Sequence, residues 1–215
     1  MKKLFISFFL IIISIISCSD KKPETVVKKD STEKMTVKKD TSFTIRKEIT
    51  TKTGKKFVII ETKPTNSVSD YMIAGGGFEN SQDTIRYSLK NPMSTAMLAD
   101  LDKNGFDEVY IITKATGSGS FEDILAVTSF EDKTFGEINV QEITAEDMEK
   151  DGKFAGYMGH DSIYITDNRL VREFPVYKTS DVNSAPTGGR RKIIYSLKPG
   201  KASYEFVITD VENIK

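Results

Sequence analysis

The chain is poor in the residues that most catalytic and metal-binding proteins rely on. It has one cysteine (Cys18), one histidine (His160), no tryptophan and six prolines in 215 residues. A lone cysteine excludes an intrachain disulfide and leaves that thiol free for another task. A lone histidine, with no second cysteine, cannot complete a zinc site of the usual nitrogen and sulfur ligands. Without tryptophan there is no indole platform for stacking on sugar, which counts against a glycosidase despite the many carboxylates. No G-x-S-x-G, phosphate-binding P-loop or dinucleotide fingerprint occurs, and Gly75-Gly76-Gly77 lacks the strand–helix setting such motifs need. His160, Asp161 and Ser162 contain the atoms of a hydrolytic triad. Neighbours on an extended segment point to opposite faces, however, and cannot form the relay. The composition therefore points away from enzymes.

One long apolar run is present, Leu4–Ile16, interrupted only by Ser7 and Ser14, after the basic Met1-Lys2-Lys3 and before Ile15-Ile16-Ser17-Cys18. It is too short for a comfortable transmembrane helix and reads as a secretory signal. A small residue before cysteine is the arrangement of a bacterial lipoprotein signal. Residues 1–17 are thus expected to be removed and Cys18 acylated, with several acyl chains giving stable anchoring. Residues 18–43 hold three Lys-Lys pairs among Ser, Thr, Asp and Glu, with almost nothing to bury, and read as a flexible tether. The expected location is the bacterial cell envelope, facing the periplasm or exposed at the surface.

Charge is balanced overall, with 31 basic and 31 acidic side chains, but unevenly distributed. Residues 19–56 carry 12 basic and 6 acidic groups, whereas residues 57–215 carry 17 basic and 25 acidic, a net −8. An acidic domain argues against nucleic acid and for a basic partner.

From residue 44 to 215, a length that suits one domain, short β-branched and aromatic runs alternate with turn residues. Such runs are Phe57–Glu61, Asp70–Ala74, Thr84–Leu89, Val109–Thr113, Ile124–Thr128, Ser162–Ile165, Leu170–Val176, Lys192–Leu197 and Tyr204–Ile208. This spacing predicts an all-β fold, an antiparallel β-sandwich or open barrel. One short helix is expected over Thr144–Lys153, where Thr144 can cap and Asp147 lies three residues on.

Two segments carry candidate chemistry. Asp100, Asp102, Asn104 and Glu108 take positions 1, 3, 5 and 9 of a D-x-D-x-N-G pattern, with Gly105 at the sharp turn. That is the oxygen spacing of a calcium loop, although a strand follows where an EF-hand has its helix. Calcium is the one candidate cofactor, and none is required. The alternative is a turn whose carboxylates cap backbone amides. The second segment, Lys114–Asp123, puts Gly117-Ser118-Gly119-Ser120-Phe121 between two stiff strands. It reads either as a glycine-rich hairpin turn or as a hydroxylated loop with one aromatic, shaped to enter a partner's cleft.

Four blocks together resemble the periplasmic inhibitors of invertebrate-type (i-type) lysozyme. They are Ala99–Tyr110; Gly117–Phe121; Gly156–Ser162 followed by Arg169–Tyr177; and Ala185–Arg190. The similarity runs from about Val68 to Val207. It implies a β-sandwich that performs no chemistry and presses a hydroxyl-and-aromatic loop into the lysozyme cleft. By position, Ser118 is the cleft-facing hydroxyl, Gly119 the hinge and Phe121 the aromatic key, with Ser120 between them. Tyr157, His160, Asp161 and Arg190 are secondary contact candidates. The family pattern has tyrosine where this chain has Phe121, which loses a donor and an acceptor. The expected function is lipid-anchored lysozyme inhibition, with lysozyme, the membrane through Cys18 and a second copy of the chain as candidate partners. The alternative is a non-inhibitory surface lipoprotein binding calcium or glycan.

Overall fold

A computed structural model describes residues 43–63, 65–80 and 84–214. The expected signal peptide, Cys18 and nearly all of the expected tether lie outside the described residues. Among the described residues the fold is all-β, twelve strands in three four-stranded antiparallel sheets, with no closed barrel. Each sheet is a run of consecutive hairpins. The first holds β1 (Phe43–Thr50), β2 (Lys56–Lys63), β3 (Ser69–Gly76) and β4 (Thr84–Lys90). The second holds β5 (Met93–Ala99), β6 (Glu108–Lys114), β7 (Glu122–Phe130) and β8 (Thr134–Glu137). The third holds β9 (Ser162–Thr166), β10 (Arg169–Pro175), β11 (Arg190–Pro199) and β12 (Tyr204–Ile214).

Side-chain alternation shows how the sheets stack. On β6 and β7, Val109, Ile111, Leu125 and Val127 pack with Phe57, Ile59, Tyr71 and Ile73 of the first sheet. Their neighbours Tyr110, Ile112, Ile124 and Ala126 pack with Ile163, Leu170, Leu197 and Phe206 of the third. The second sheet is therefore the filling between the other two, and both of its faces are dry. That is why Val109–Ile112 and Ile124–Val127 are unbroken apolar runs: a strand covered on both faces has no solvent side to mark. Burying either row contributes about 1.5–3 kcal/mol per large side chain.

Three strands are absent from the sequence expectation: β1, β5 and β8. β1 starts at Phe43, one residue before the expected boundary, and pairs along its whole length with β2. Its burial only alternates between exposed and half-buried, so its apolar signal is weak. The expected helix shrinks to one 3₁₀ turn, Glu146–Met148. Ala145, not Thr144, takes the N-cap position, although one residue earlier Thr144 donates its N–H and hydroxyl to Asp147 Oδ2 (3.0 and 2.8 Å) and Thr144 Oγ1 accepts the Asp147 N–H (3.3 Å). The turn buries no side chain. Without an apolar stripe to dock, a short helix has too little to offset its nucleation cost.

Candidate functional site: the loop between β6 and β7 and its clasp

The β6–β7 hairpin ends in the loop 115–121. The Ala115 N–H donates to the Phe121 carbonyl (2.7 Å) and the Ser120 N–H to the Gly117 carbonyl (3.0 Å). Ser120 takes a left-handed backbone, φ 43°. A non-glycine residue in that region costs on the order of 1 kcal/mol, so the surroundings must hold it.

What holds it is the segment before β9. The His160 N–H donates to the Gly119 carbonyl (2.6 Å), with Gly159 at φ 87° and His160 at φ 54°. A side chain at Gly159 would strike the Gly119 carbonyl and the Phe121 ring, and one at Gly119 would strike that ring too. Both glycines are required by close approach: the Phe121 ring lies over them and meets Tyr157 edge-on (centroids 5.8 Å, 70°). Asn183, from the segment before β11, completes the enclosure. Its Nδ2 donates to the Ser118 carbonyl at 3.4 Å, and its Oδ1 lies 3.3 Å from His160 Nε2.

Beneath the loop lies a buried polar network. The Glu122 N–H donates to Asp161 Oδ1 (2.8 Å), and the Ile163 N–H donates back to Glu122 Oε2 (2.7 Å). Tyr157 donates its hydroxyl to Asp161 Oδ2 (3.0 Å). Arg172 reaches Asp161 at 3.5 Å and Asp123 at 3.9 Å, and Lys114 pairs with Glu122 at 3.0 Å. Burial pushes the Asp161 carboxyl above its ordinary range, while Arg172, the Glu122 amide and Tyr157 pull against it. Burial also raises the Tyr157 hydroxyl, so it remains a donor.

The sequence-predicted residues thus divide. Ser118 and Phe121 are exposed, and Phe121 is 44% exposed. Tyr157 and His160 flank them. Asp161 is 1% exposed and faces inward, so it anchors the loop and presents nothing to a partner. Ser162 is exposed while Asp161 is buried, as expected for neighbours that cannot form a triad with His160. Arg190 is occupied elsewhere, with its Nε donating to Glu173 Oε1 at 2.6 Å. Partial burial disfavours a charged Glu173, but hydrogen bonds from Arg190 and Tyr164 hold its carboxyl below the ordinary range.

Sequence reasoning missed Glu122, Arg172 and Asn183, whose roles depend on which segments meet. It also missed Met158 and Val182, 49% and 63% exposed, next in sequence to Gly159 and Asn183. Together with Phe121 they set three of the seven exposed large apolar side chains among the described residues around one loop.

The second candidate, the turn between β5 and β6, brings Asp100, Asp102 and Glu108 together, with carboxylate oxygens within 4.8 Å of one another. Asn104 lies in the same turn, where its Oδ1 accepts the Phe106 N–H (2.8 Å) and its Nδ2 donates to Asp102 Oδ2 (2.9 Å). Burial raises the Glu108 carboxyl to about 7, although the Leu101 amide and the Tyr110 hydroxyl oppose the shift.

By fold and site the molecule is an all-β protein presenting a braced loop with an apolar tip. The chain matches no protein-family model, no curated protein and no solved structure.

Proposed function

We propose that the chain is a lipid-anchored envelope inhibitor of lysozyme, of the i-type first, which blocks the active cleft by inserting the Ser118–Phe121 loop. One observation carries this reading. Phe121 stands half-exposed at the tip of a loop pinned by His160, Asn183 and the buried Asp161 network. A loop ordered before binding loses little entropy on docking, so more of its contact energy appears as affinity. Two of the blocks that carry the family resemblance meet here, Gly117–Phe121 and Gly156–Ser162, and Asn183 lies two residues before a third, Ala185–Arg190. A glycosidase cleft presents paired carboxylates that a serine hydroxyl and loop amides can satisfy while the ring excludes water. The −8 of residues 57–215 favours encounter with a cationic enzyme.

The second reading, a surface lipoprotein binding calcium or glycan without inhibiting, is favoured by the Asp100–Asp102–Glu108 cluster. A turbidity assay of peptidoglycan lysis separates the two. The full-length chain in mild detergent is added to i-type, chicken-type and goose-type lysozymes, with detergent alone as control. Inhibition strongest against the i-type enzyme is the expected result. Unchanged lysis by all three would discard the inhibitor reading.

A further inference from the structure

The β5–β6 turn crowds negative charge into a place where a buried oxygen has no partner. Glu108 is fully buried. Its Oε2 accepts the Leu101 N–H and the Tyr110 hydroxyl, each at 2.8 Å, while its Oε1 has no hydrogen-bond partner. A charged group left so is costly, because it gives up water and gains nothing in return. Asp100 and Asp102 bring their carboxylates alongside, within the 4.8 Å span. The cation paired with the cluster is Lys52, 2.5 Å from Asp100 Oδ2 and 3.7 Å from Asp107 Oδ1. This one partly exposed ammonium pairs with Asp100 and Asp107, and neither ion pair reaches Glu108.

We infer that Asp100, Asp102 and Glu108 form a calcium site, with Glu108 Oε1 as its buried ligand. The donors are hard oxygens, the type that calcium, magnesium and manganese take. Calcium bonds of about 2.3–2.6 Å let two ligands on opposite sides of the ion stand roughly 5 Å apart, which accommodates this cluster. Magnesium demands near-ideal octahedral geometry and gives up its waters reluctantly, whereas calcium accepts flexible oxygen sets such as carboxylates already held by turn hydrogen bonds. Asp100 Oδ1 holds the Asn104 N–H (3.0 Å), Asp100 Oδ2 the Gly105 N–H (3.0 Å) and Asp102 Oδ1 the Asn104 N–H (3.1 Å). Asp100 Oδ1 and Asp102 Oδ1 each keep a further lone pair for the ion, whereas Asp100 Oδ2 also holds the Lys52 ammonium. The turn is built before the ion arrives, so binding orders little. The site lies at the end of β6 away from the 115–121 loop, and it stands or falls independently of lysozyme inhibition.

The test uses the full-length chain in mild detergent, stripped with chelator and dialysed. Terbium emission sensitised by Tyr110, which bonds Glu108, should rise on titration with Tb³⁺ and be displaced by Ca²⁺ at far lower concentration than by Mg²⁺. Millimolar Ca²⁺ should raise the melting temperature by about 5 °C over the chelated protein, because an ion that binds only the folded state stabilises it. Asp102→Asn should weaken calcium at least tenfold while melting like the parent in chelator. Glu108→Gln should do the same, and if it fails to fold, Asp102→Asn alone decides. Lys52→Met should tighten calcium severalfold by removing the competing ammonium. Absence of both sensitised emission and a melting shift overturns the site. So does undiminished calcium affinity in Asp102→Asn, which would put the ion elsewhere. Equal preference for magnesium overturns the assignment to calcium.

Discussion

Phe121 has two jobs that pull in opposite directions. Its ring covers Gly119 and Gly159 and meets Tyr157, yet it leaves 44% of its surface to solvent. The covered part shapes the loop, and the open part is what a partner would bury. If the loop enters a lysozyme cleft, Phe121→Ala should raise the inhibition constant about thirtyfold, roughly 2 kcal/mol, as for a central hot spot. The melting temperature should fall only slightly, since the ring belongs to none of the three core clusters. Phe121→Tyr should preserve or improve inhibition by offering a hydroxyl to polar groups in the cleft. Replacing Lys198, exposed on β11, should change neither quantity. Inhibition unaltered in a folded Phe121→Ala protein would remove the loop from the mechanism. The aromatic and the glycines of this loop were legible in the sequence. The contact that makes Gly159 obligatory was not, because it joins residues about forty positions apart.

Among the elements, the loop is secured less by its own turn than by β9 and β10. Across the gap between β7 and β9 the Glu122 N–H donates to Asp161 and the Ile163 N–H donates to the Glu122 carboxylate, and Arg172 on β10 supplies the charge that makes Asp161 tolerable inside. Removing one partner of a buried pair leaves the other uncompensated. Arg172→Met should therefore destabilise the domain by about 3–5 kcal/mol in denaturant unfolding and weaken inhibition as the loop loosens. A loss below about 0.5 kcal/mol would mean that the Glu122 amide and the Tyr157 hydroxyl suffice for Asp161. The sequence displayed Glu122 and Asp161 as ordinary surface-type residues flanking strands. Only strand packing turned them inward.

At the scale of the whole molecule, the second sheet serves two cores at once. Ile111 faces the cluster around Phe57, and Ile112 faces the cluster around Leu170. Ile111→Val and Ile112→Val should each cost about 0.5–1.5 kcal/mol. The double variant should cost their sum to within about 0.5 kcal/mol, because the two side chains pack into different cores. Marked non-additivity in urea unfolding would mean that the cores communicate through the sheet. Cys18 bears on where the molecule works. Cys18→Ser should leave the chain soluble or uncleaved on detergent-free fractionation, whereas normal processing with retained membrane association would refute anchoring through this residue.

The sequence by itself determined the all-β class and nine of the twelve strands, while β1, β5 and β8 came only with the structure. Those strands follow local conformational preference and two-residue alternation, which Thr84–Leu89 displays in full. It also exposed the Asp100–Glu108 turn, whose spacing is a local matter. Tertiary structure alone decided that the sheets number three, that β6 and β7 are covered on both faces, and that Asp161 is an anchor. It also decided that Glu108 stands fully buried beside Asp100 and Asp102. Each of these depends on which distant surfaces meet. Burial, which sets the cost of an unpaired charge and the worth of an apolar face, is a property of the assembled layers and not of any one strand.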